Sequence, residues 1–149
     1  MIIIKSPREI EQLKRSNAIV AEVFGKLKGM IVPGVTTREL DQVAEDYIRL
    51  KGARPAFKGY RGFPASLCTS INEEVVHGIP GQRRLKEGDI IGLDVGVNYQ
   101  GYFGDAAITF PVGEVDVEAK RLLEVTEKAL YIGIEKAKVG NHLKEYRPV

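Results

Sequence analysis

Several features that define protein classes are scarce in this sequence, and each shortage excludes something. There is a single cysteine, Cys68, so no disulfide can form within the chain, and this fits a reducing compartment. No apolar run reaches the roughly 18 residues of a membrane span, and the first residues show no signal-peptide pattern. We therefore expect a soluble, cytoplasmic protein with no membrane partner.

Charge of one sign is also lacking. The 149 residues carry 22 basic and 20 acidic side chains, mixed throughout, for a net charge of +2. Such a balance favours no nucleic-acid partner. A glycine-rich phosphate loop followed by Lys and Ser or Thr is absent as well, which argues against Mg²⁺-dependent phosphoryl chemistry. The length suits one domain with a real core.

Start and stop signals predict two helices in the first third of the chain. Ser6-Pro-Arg-Glu9 is a capping box with proline in the first turn, and apolar residues at helical spacing continue to about Gly29. A second helix begins at Thr36 or Thr37 and ends near Lys51-Gly52. Neither carries a chemical motif, so we interpret both as packing elements.

The middle of the chain changes composition. Residues 56–64 are rich in glycine and aromatics and end in proline, which predicts a loop or an irregular strand. Residues 65–71 and 75–79 are apolar runs that predict strands, and the second carries His77. A lone histidine on an apolar strand is either a hydrogen-bonded core residue or a functional one. Cys68 has the plain interpretation of a small buried hydrophobe.

A third helix is predicted after the strands. It begins at Asp116 or Glu118, has apolar residues at core-like spacing and is stopped by Val139-Gly-Asn141. Two helices, several strands and a final helix form an α+β fold, with an antiparallel-rich sheet and helices on one face.

The chemically suggestive stretch is a hairpin of two β-branched runs around residues 98–101. If Tyr99-Gln100 is its two-residue loop, Asp94 and Asp105 lie directly opposite each other on one face. Two carboxylates so placed repel each other unless a cation lies between them, and divalent metals accept carboxylate oxygens readily. A bulge beside Gly101 would instead put them on opposite faces. Solvent-facing turn residues are the plain alternative.

Several motifs in order resemble type I methionine aminopeptidase, of metallopeptidase family M24. They are residues 55–80, Glu87-Gly-Asp-Ile90, Leu93-Asp-Val-Gly96 and Gly104-Asp105, and the likeness runs from about Met1 to Asn141. The resemblance implies the N-terminal half of a pita-bread catalytic domain at 1–141, with a divergent tail at 142–149.

The resemblance also implies site residues. Asp94 and Asp105 match ligands of two divalent ions (Co, Mn, Fe or Zn), and His77 matches a histidine that contacts the scissile region of the substrate. The methionine side-chain pocket is implied at Phe57, Tyr60, Phe63 and Cys68. The implied reaction removes the initiator methionine from nascent polypeptides whose second residue is small.

One departure from the family pattern tempers this expectation. In the family, the second half supplies a histidine and two glutamates as further ligands, and one of the glutamates is also the general base. This sequence stops before them. We therefore expect a truncated chain that is inactive alone and self-associates through the missing-half surface. The alternatives are a non-catalytic half-domain that binds a partner chain or a nascent polypeptide, and, against the pocket motif, a proline dipeptidase relative.

Overall fold

The computed structural model describes residues 3–142 and is built from three helices and four strands. The helices are α1 (Pro7–Lys28), α2 (Thr37–Leu50) and α3 (Val117–Lys136). The strands are β1 (Arg54–Pro55), β2 (Leu67–Ile71), β3 (Ile90–Tyr99) and β4 (Tyr102–Pro111), and a short 3₁₀ turn covers Tyr60–Gly62. Within the described part of the chain, no helix is both long and apolar enough to cross a membrane.

Both N-terminal helices begin at the predicted capping boxes. The Glu9 backbone N–H donates to Ser6 Oγ over 3.4 Å, and Ser6 N–H donates to Glu9 Oε2 over 2.7 Å. The same reciprocal pair joins Thr36 and Glu39 at the start of α2. These local bonds satisfy backbone donors that a helix end leaves free. The predicted extents of α1 and α2 are confirmed to within a residue or two.

Strand β3 is the centre of an antiparallel sheet. It pairs with β4 on one side and with β1 and β2 on the other. Ile91, Leu93, Val95 and Val97 alternate along β3 and are fully buried. Helix α1 contacts β3 and β4, and α2 contacts β1 and β2, so the two helices cover the face that these residues share. The opposite face of the sheet, called the site face below, carries Asp94.

The register of the hairpin differs from the predicted one. Its loop is Gln100-Gly101, because both residues have positive φ (52° and 88°), as a type I′ turn requires. Asp94 therefore lies opposite Ala107, and Asp105 lies opposite Gly96. The prediction that the two aspartates face each other directly is wrong. The shift is two residues, however, so both remain on the site face.

Helix α1 approaches β4 closely at one glycine. A Cβ on Gly104 would lie 2.6–2.8 Å from the backbone of Ser16 and Asn17, which no real side chain tolerates. Ser16 is buried beside it, and its hydroxyl donates to the Tyr102 carbonyl over 2.9 Å. The absent side chain thus sets how near α1 lies to the strand that carries Asp105.

The predicted strand at 75–79 is not one. His77 has φ 60°, in the left-handed region, and this breaks the extended backbone that a strand needs. Only Gly78 meets β2: its carbonyl accepts from Thr69 N–H over 2.8 Å and its N–H donates to Ser70 Oγ over 3.2 Å. His77 is consequently on an exposed, irregular segment.

The chain divides into two compact units, Met1–Glu114 and Val115–Val149. The second contains α3, whose first turn is capped by Asp116 through a 2.7 Å bond from Ala119 N–H, as predicted. No residue of α3 is buried, so its apolar residues at core-like spacing form no core in the part of the chain that the structure describes. The predicted tail at 142–149 lies outside the described residues from position 143 on.

Candidate active site

A cavity of about 680 Å³ opens on the site face, within the first unit. Its lining includes every residue that the sequence singled out: Phe57, Tyr60, Phe63, Cys68, His77, Asp94 and Asp105. These residues come from an irregular loop, β2, an exposed segment and two strands. The fold therefore brings together in one cavity seven side chains that span nearly fifty positions of sequence.

Asp94 and Asp105 form the acidic end of this cavity. Because Asp105 is opposite Gly96, two positions along β3 from Asp94, the pair is diagonal across the hairpin. Diagonal neighbours on one face are about 7–8 Å apart, with Cβ atoms somewhat closer. That spacing leaves room for a cation between the carboxylates, as the directly opposed arrangement also would.

The environment of Asp94 disfavours a bare carboxylate. Burial raises its pKa, the nearby charge of Asp105 raises it further, and His77 opposes the shift. Its Oδ1 atom is buried and has no hydrogen-bond partner among the described residues. A buried carboxylate oxygen without a partner is costly in an apolar protein, and a metal ion is a ligand that would satisfy it.

This donor set fits a divalent metal in part. Asp94 and Asp105 offer carboxylate oxygens, which suit Mn²⁺, Fe²⁺, Co²⁺ and Zn²⁺. Within residues 3–142, however, no group of three or more His, Cys, Asp or Glu side chains is arranged to hold one ion. Two carboxylates leave most coordination positions to water, so the described residues form a weak site.

Cys68 forms a neutral wall of the cavity. It lies opposite Asp94 in the β2–β3 pairing and is buried. Burial, followed by the charges of Asp94 and Asp105, raises the pKa of its thiol to about 11. At physiological pH the sulfur is therefore protonated and behaves as a polarisable apolar surface, in agreement with the plain interpretation of this residue.

The aromatic loop, residues 56–64, forms an apolar wall of the cavity. It closes on itself, since Tyr60 N–H donates to the Phe57 carbonyl over 2.9 Å and Phe63 N–H to the Tyr60 carbonyl over 3.0 Å. Gly59, Arg61 and Gly62 have positive φ, which lets the chain turn so tightly. The loop thereby presents three aromatic rings to one cavity.

The Phe57 ring packs against Gly96 on the site face. A Cβ on Gly96 would come within 2.8 Å of Phe57 Cδ1, so the ring occupies the space that any side chain at position 96 would fill. Ala56 N–H also donates to the Gly96 carbonyl over 2.8 Å. Gly96 is the residue opposite Asp105. The apolar pocket therefore begins directly beside the acidic pair.

Phe103 and Ile79 also line the cavity and were missed by the sequence reasoning. Phe103 stands two positions before Asp105 on β4, on the same face and 57% exposed. Strand alternation from Asp105 could have identified it. Ile79 gave no such signal, because the segment around it was interpreted as a strand.

Comparisons with known proteins show the family to which this chain belongs. The sequence model of metallopeptidase family M24 matches residues 11–147. The chain is 53% identical over 143 residues to methionine aminopeptidase 1 of Bacillus subtilis, which covers 96% of this chain and 58% of that protein. It is 53% identical over 146 residues to the methionine aminopeptidase of Clostridium acetobutylicum, covering 97% and 58% respectively. The chain thus spans somewhat over half the length of these relatives.

Solved structures share the fold. The methionine aminopeptidase of Thermotoga maritima superposes with a TM-score of 0.89 at 43% identity, over 93% of this chain and 55% of that one. A prolidase from Pyrococcus furiosus gives a TM-score of 0.85 at 26% identity, over 97% of this chain and 41% of the other. The α+β, pita-bread architecture expected from the sequence is confirmed.

Proposed function

Because the chain belongs to metallopeptidase family M24, we propose that it builds the metal-binding face and the side-chain pocket of a methionine aminopeptidase. The substrate class is the N-terminus of a newly made polypeptide, from which the initiator methionine is removed when the second residue is small. Identity of 53% to two methionine aminopeptidases supports this choice over a proline dipeptidase, for which the prolidase identity is 26%.

The observation that carries the proposal is the juxtaposition within one cavity. Aromatic rings and the neutral Cys68 sulfur line the cavity directly beside Asp94 and Asp105, because Cys68 is paired with Asp94 and Phe57 packs on the residue opposite Asp105. An unbranched thioether side chain packs well against aromatic and sulfur surfaces. A methionine held there would place its own amide next to the acidic pair, where hydrolysis needs it.

Each residue has a role that its surroundings allow. Asp94 and Asp105 would hold one or two divalent ions, which when bound supply a Lewis acid and an activated water. His77 lines the same cavity from an exposed segment, where its imidazole would donate a hydrogen bond to the scissile carbonyl oxygen. The aromatic loop excludes water from the methionine side chain.

The same geometry argues for low activity from these residues alone. No third metal ligand joins the acidic pair within residues 3–142. A site of two carboxylates binds metal weakly, so only a small fraction of molecules would hold it at ordinary concentrations. We propose that full activity requires further ligands beyond those in the described part of the chain.

Peptide hydrolysis tests this proposal. Release of methionine from Met-Ala-Ser is followed with added Mn²⁺ or Co²⁺, using the wild-type chain and its Asp105→Asn variant. We expect slow turnover that the variant abolishes, with Val-Ala-Ser left uncut by both. Equal turnover of wild type and variant, or equal cleavage of the two peptides, would overturn the proposal.

A non-catalytic partner-binding role is the second candidate, and β4 favours it. This strand pairs with β3 and with no other strand in the described residues. Phe103 and Ile108 on it are 57% and 42% exposed. An unpaired edge with apolar side chains is a template for another strand. We propose that a second copy of the chain occupies it.

A further inference from the structure

The aromatic loop is anchored by two acids of α2 that have no place in the chemistry above. Asp41 and Glu45 stand four positions apart, on one face of the helix. Asp41 Oδ1 accepts from the backbone N–H groups of Ser66 and Leu67, over 2.9 and 2.8 Å. These bonds fix the point where the loop ends and β2 begins.

Glu45 holds the other end of the loop. Its Oε2 accepts from Lys58 Nζ over 2.6 Å and from the Ser66 hydroxyl over 3.0 Å. Its Oε1 accepts from Arg49 over 2.7 Å. Glu45 is largely buried, and the hydrogen bond from Lys58 is the largest of the effects that lower its pKa to about 2. The carboxylate is therefore charged and fully engaged at physiological pH.

Lys58 directly follows Phe57, the ring that lies on Gly96. The ion pair of Lys58 with Glu45 therefore ties the residue next to this ring to α2. The backbone bond from Ala56 to Gly96 holds the residue on the other side of that ring. Phe57 is thus fixed from both neighbours, one tied to the sheet and the other to α2.

We propose that Glu45 and Lys58 are positioning residues that set the shape of the side-chain pocket by holding Phe57 against Gly96. This inference rests on the proposed function for its ligand, a methionine side chain, but not for its geometry. Neither residue is among those that line the cavity, and their bonds join them to each other, to Arg49 and to Ser66. They act through the ring, as groups that lock the rotamer and backbone of a binding residue.

The chain offers a control for the loss of a lysine ion pair. Lys51 pairs with Glu22, also over 2.6 Å, and does not adjoin the aromatic loop. The two acids differ, because the Glu45 side chain is 11% exposed and the Glu22 side chain is 44% exposed. Lys58→Met therefore leaves a more buried carboxylate, which keeps its bond from Arg49. Lys51→Met reports the effect of losing an ion pair elsewhere, and Lys58→Arg reports the effect of keeping a cation at position 58.

The first measurement is NMR of the free protein, in which the Phe57 ring current shifts the Gly96 amide and Hα signals. In Lys58→Met we expect these signals to move toward unshifted values, and in Lys51→Met to stay in place. Lys58→Arg, which keeps a cation for Glu45, should restore them. Unchanged Gly96 signals in Lys58→Met, or the same change in both methionine variants, would refute the proposal.

The second measurement is the dissociation constant for L-methionine amide, read from the same spectra. In Lys58→Met we expect it to rise about fivefold, the size expected for the loss of one modest contact, with no rise in the control. If wild type binds no methionine amide, the proposed function fails while the Gly96 signals still decide the positioning role. If binding is intact in every variant, the positioning role fails alone.

Discussion

At the scale of single residues, the site is defined by groups whose surroundings oppose their usual ionisation. Asp94 has a buried oxygen with no hydrogen-bond partner in the described part of the chain, and Cys68 has a pKa raised to about 11. Both effects arise from burial on a face that also holds Asp105. A cation would satisfy the buried oxygen of Asp94, and a methionine side chain would pack against the protonated sulfur of Cys68.

Cys68 allows a direct test of this environment, since it is the only cysteine. A thiol with a pKa of about 11 is almost entirely protonated at neutral pH, and only the thiolate reacts with iodoacetamide. We expect the alkylation rate to rise about tenfold per pH unit from pH 7 to pH 10 without levelling off. Free N-acetylcysteine, measured alongside, should level off at the pKa of an ordinary thiol.

A plateau for Cys68 near pH 9 would contradict the account of a thiol desolvated beside two carboxylates. Mass spectrometry of the modified chain at each pH gives the rate. Circular dichroism at the same pH values shows whether the fold is retained, so that reaction of an unfolded population is not counted.

Residue types in a motif indicated which side chains share a cavity, while the roles assigned to them stay predictions; the backbone conformation could not be read from the motif. All seven predicted site residues line one cavity. The left-handed conformation of His77 was not predicted, and it occurs next to Gly78, which bonds to β2. That contact joins segments that the local pattern treats as independent.

At the scale of elements, the crossing of α1 over β4 determines where Asp105 lies. Gly104 and Ser16 meet at this crossing without room for a side chain at position 104. Helix and strand cannot separate without losing the buried hydrogen bond from Ser16 to Tyr102. The acidic residue at 105 is therefore located by a glycine that does no chemistry.

Gly104→Ala should destabilise the chain by about 1–3 kcal/mol, because overpacking forces the backbones apart. Gly25→Ala is the matched control, since Gly25 lies inside α1 and a Cβ at this position would meet nothing within 4 Å. It should stabilise by about 0.5–1 kcal/mol through helix propensity. Urea unfolding of the two variants measures both effects. Equal effects of the two substitutions would show that the crossing is not tightly packed.

Helix limits were predictable because capping is local, whereas the hairpin register was not. The type I′ turn depends on a left-handed Gln100, a residue that gives little sign of this conformation. The predicted register was wrong by two residues, but side chains alternate between faces with a period of two. The prediction that Asp94 and Asp105 share one face is therefore still correct. The conformation of the aromatic loop could not be predicted from the local sequence either, because the loop and the residues that follow it bond to Asp41 and Glu45 on α2.

At the scale of the whole molecule, the outer edge of β4 pairs with no second strand among the described residues, and it is our candidate surface for association. We expect sedimentation velocity to show dimers that grow with concentration. Ile108→Lys should weaken this association about tenfold, because a lysine on an edge strand opposes pairing. Leu50→Lys, the same change at an exposed position at the end of α2, should leave it unaltered. A monomer at every concentration would contradict the second candidate function.

The central claim is that Asp94 and Asp105 form a metal-binding pair, and counting bound Mn²⁺ by electron paramagnetic resonance tests it most directly. We expect wild type to bind Mn²⁺ with a dissociation constant on the order of 10⁻⁴–10⁻³ M, as suits a site with few protein ligands. Asp94→Asn should abolish this binding. Asp46→Asn, which removes an exposed carboxylate of α2, should retain it. Equal binding by wild type and Asp94→Asn, or none by wild type, would contradict the account.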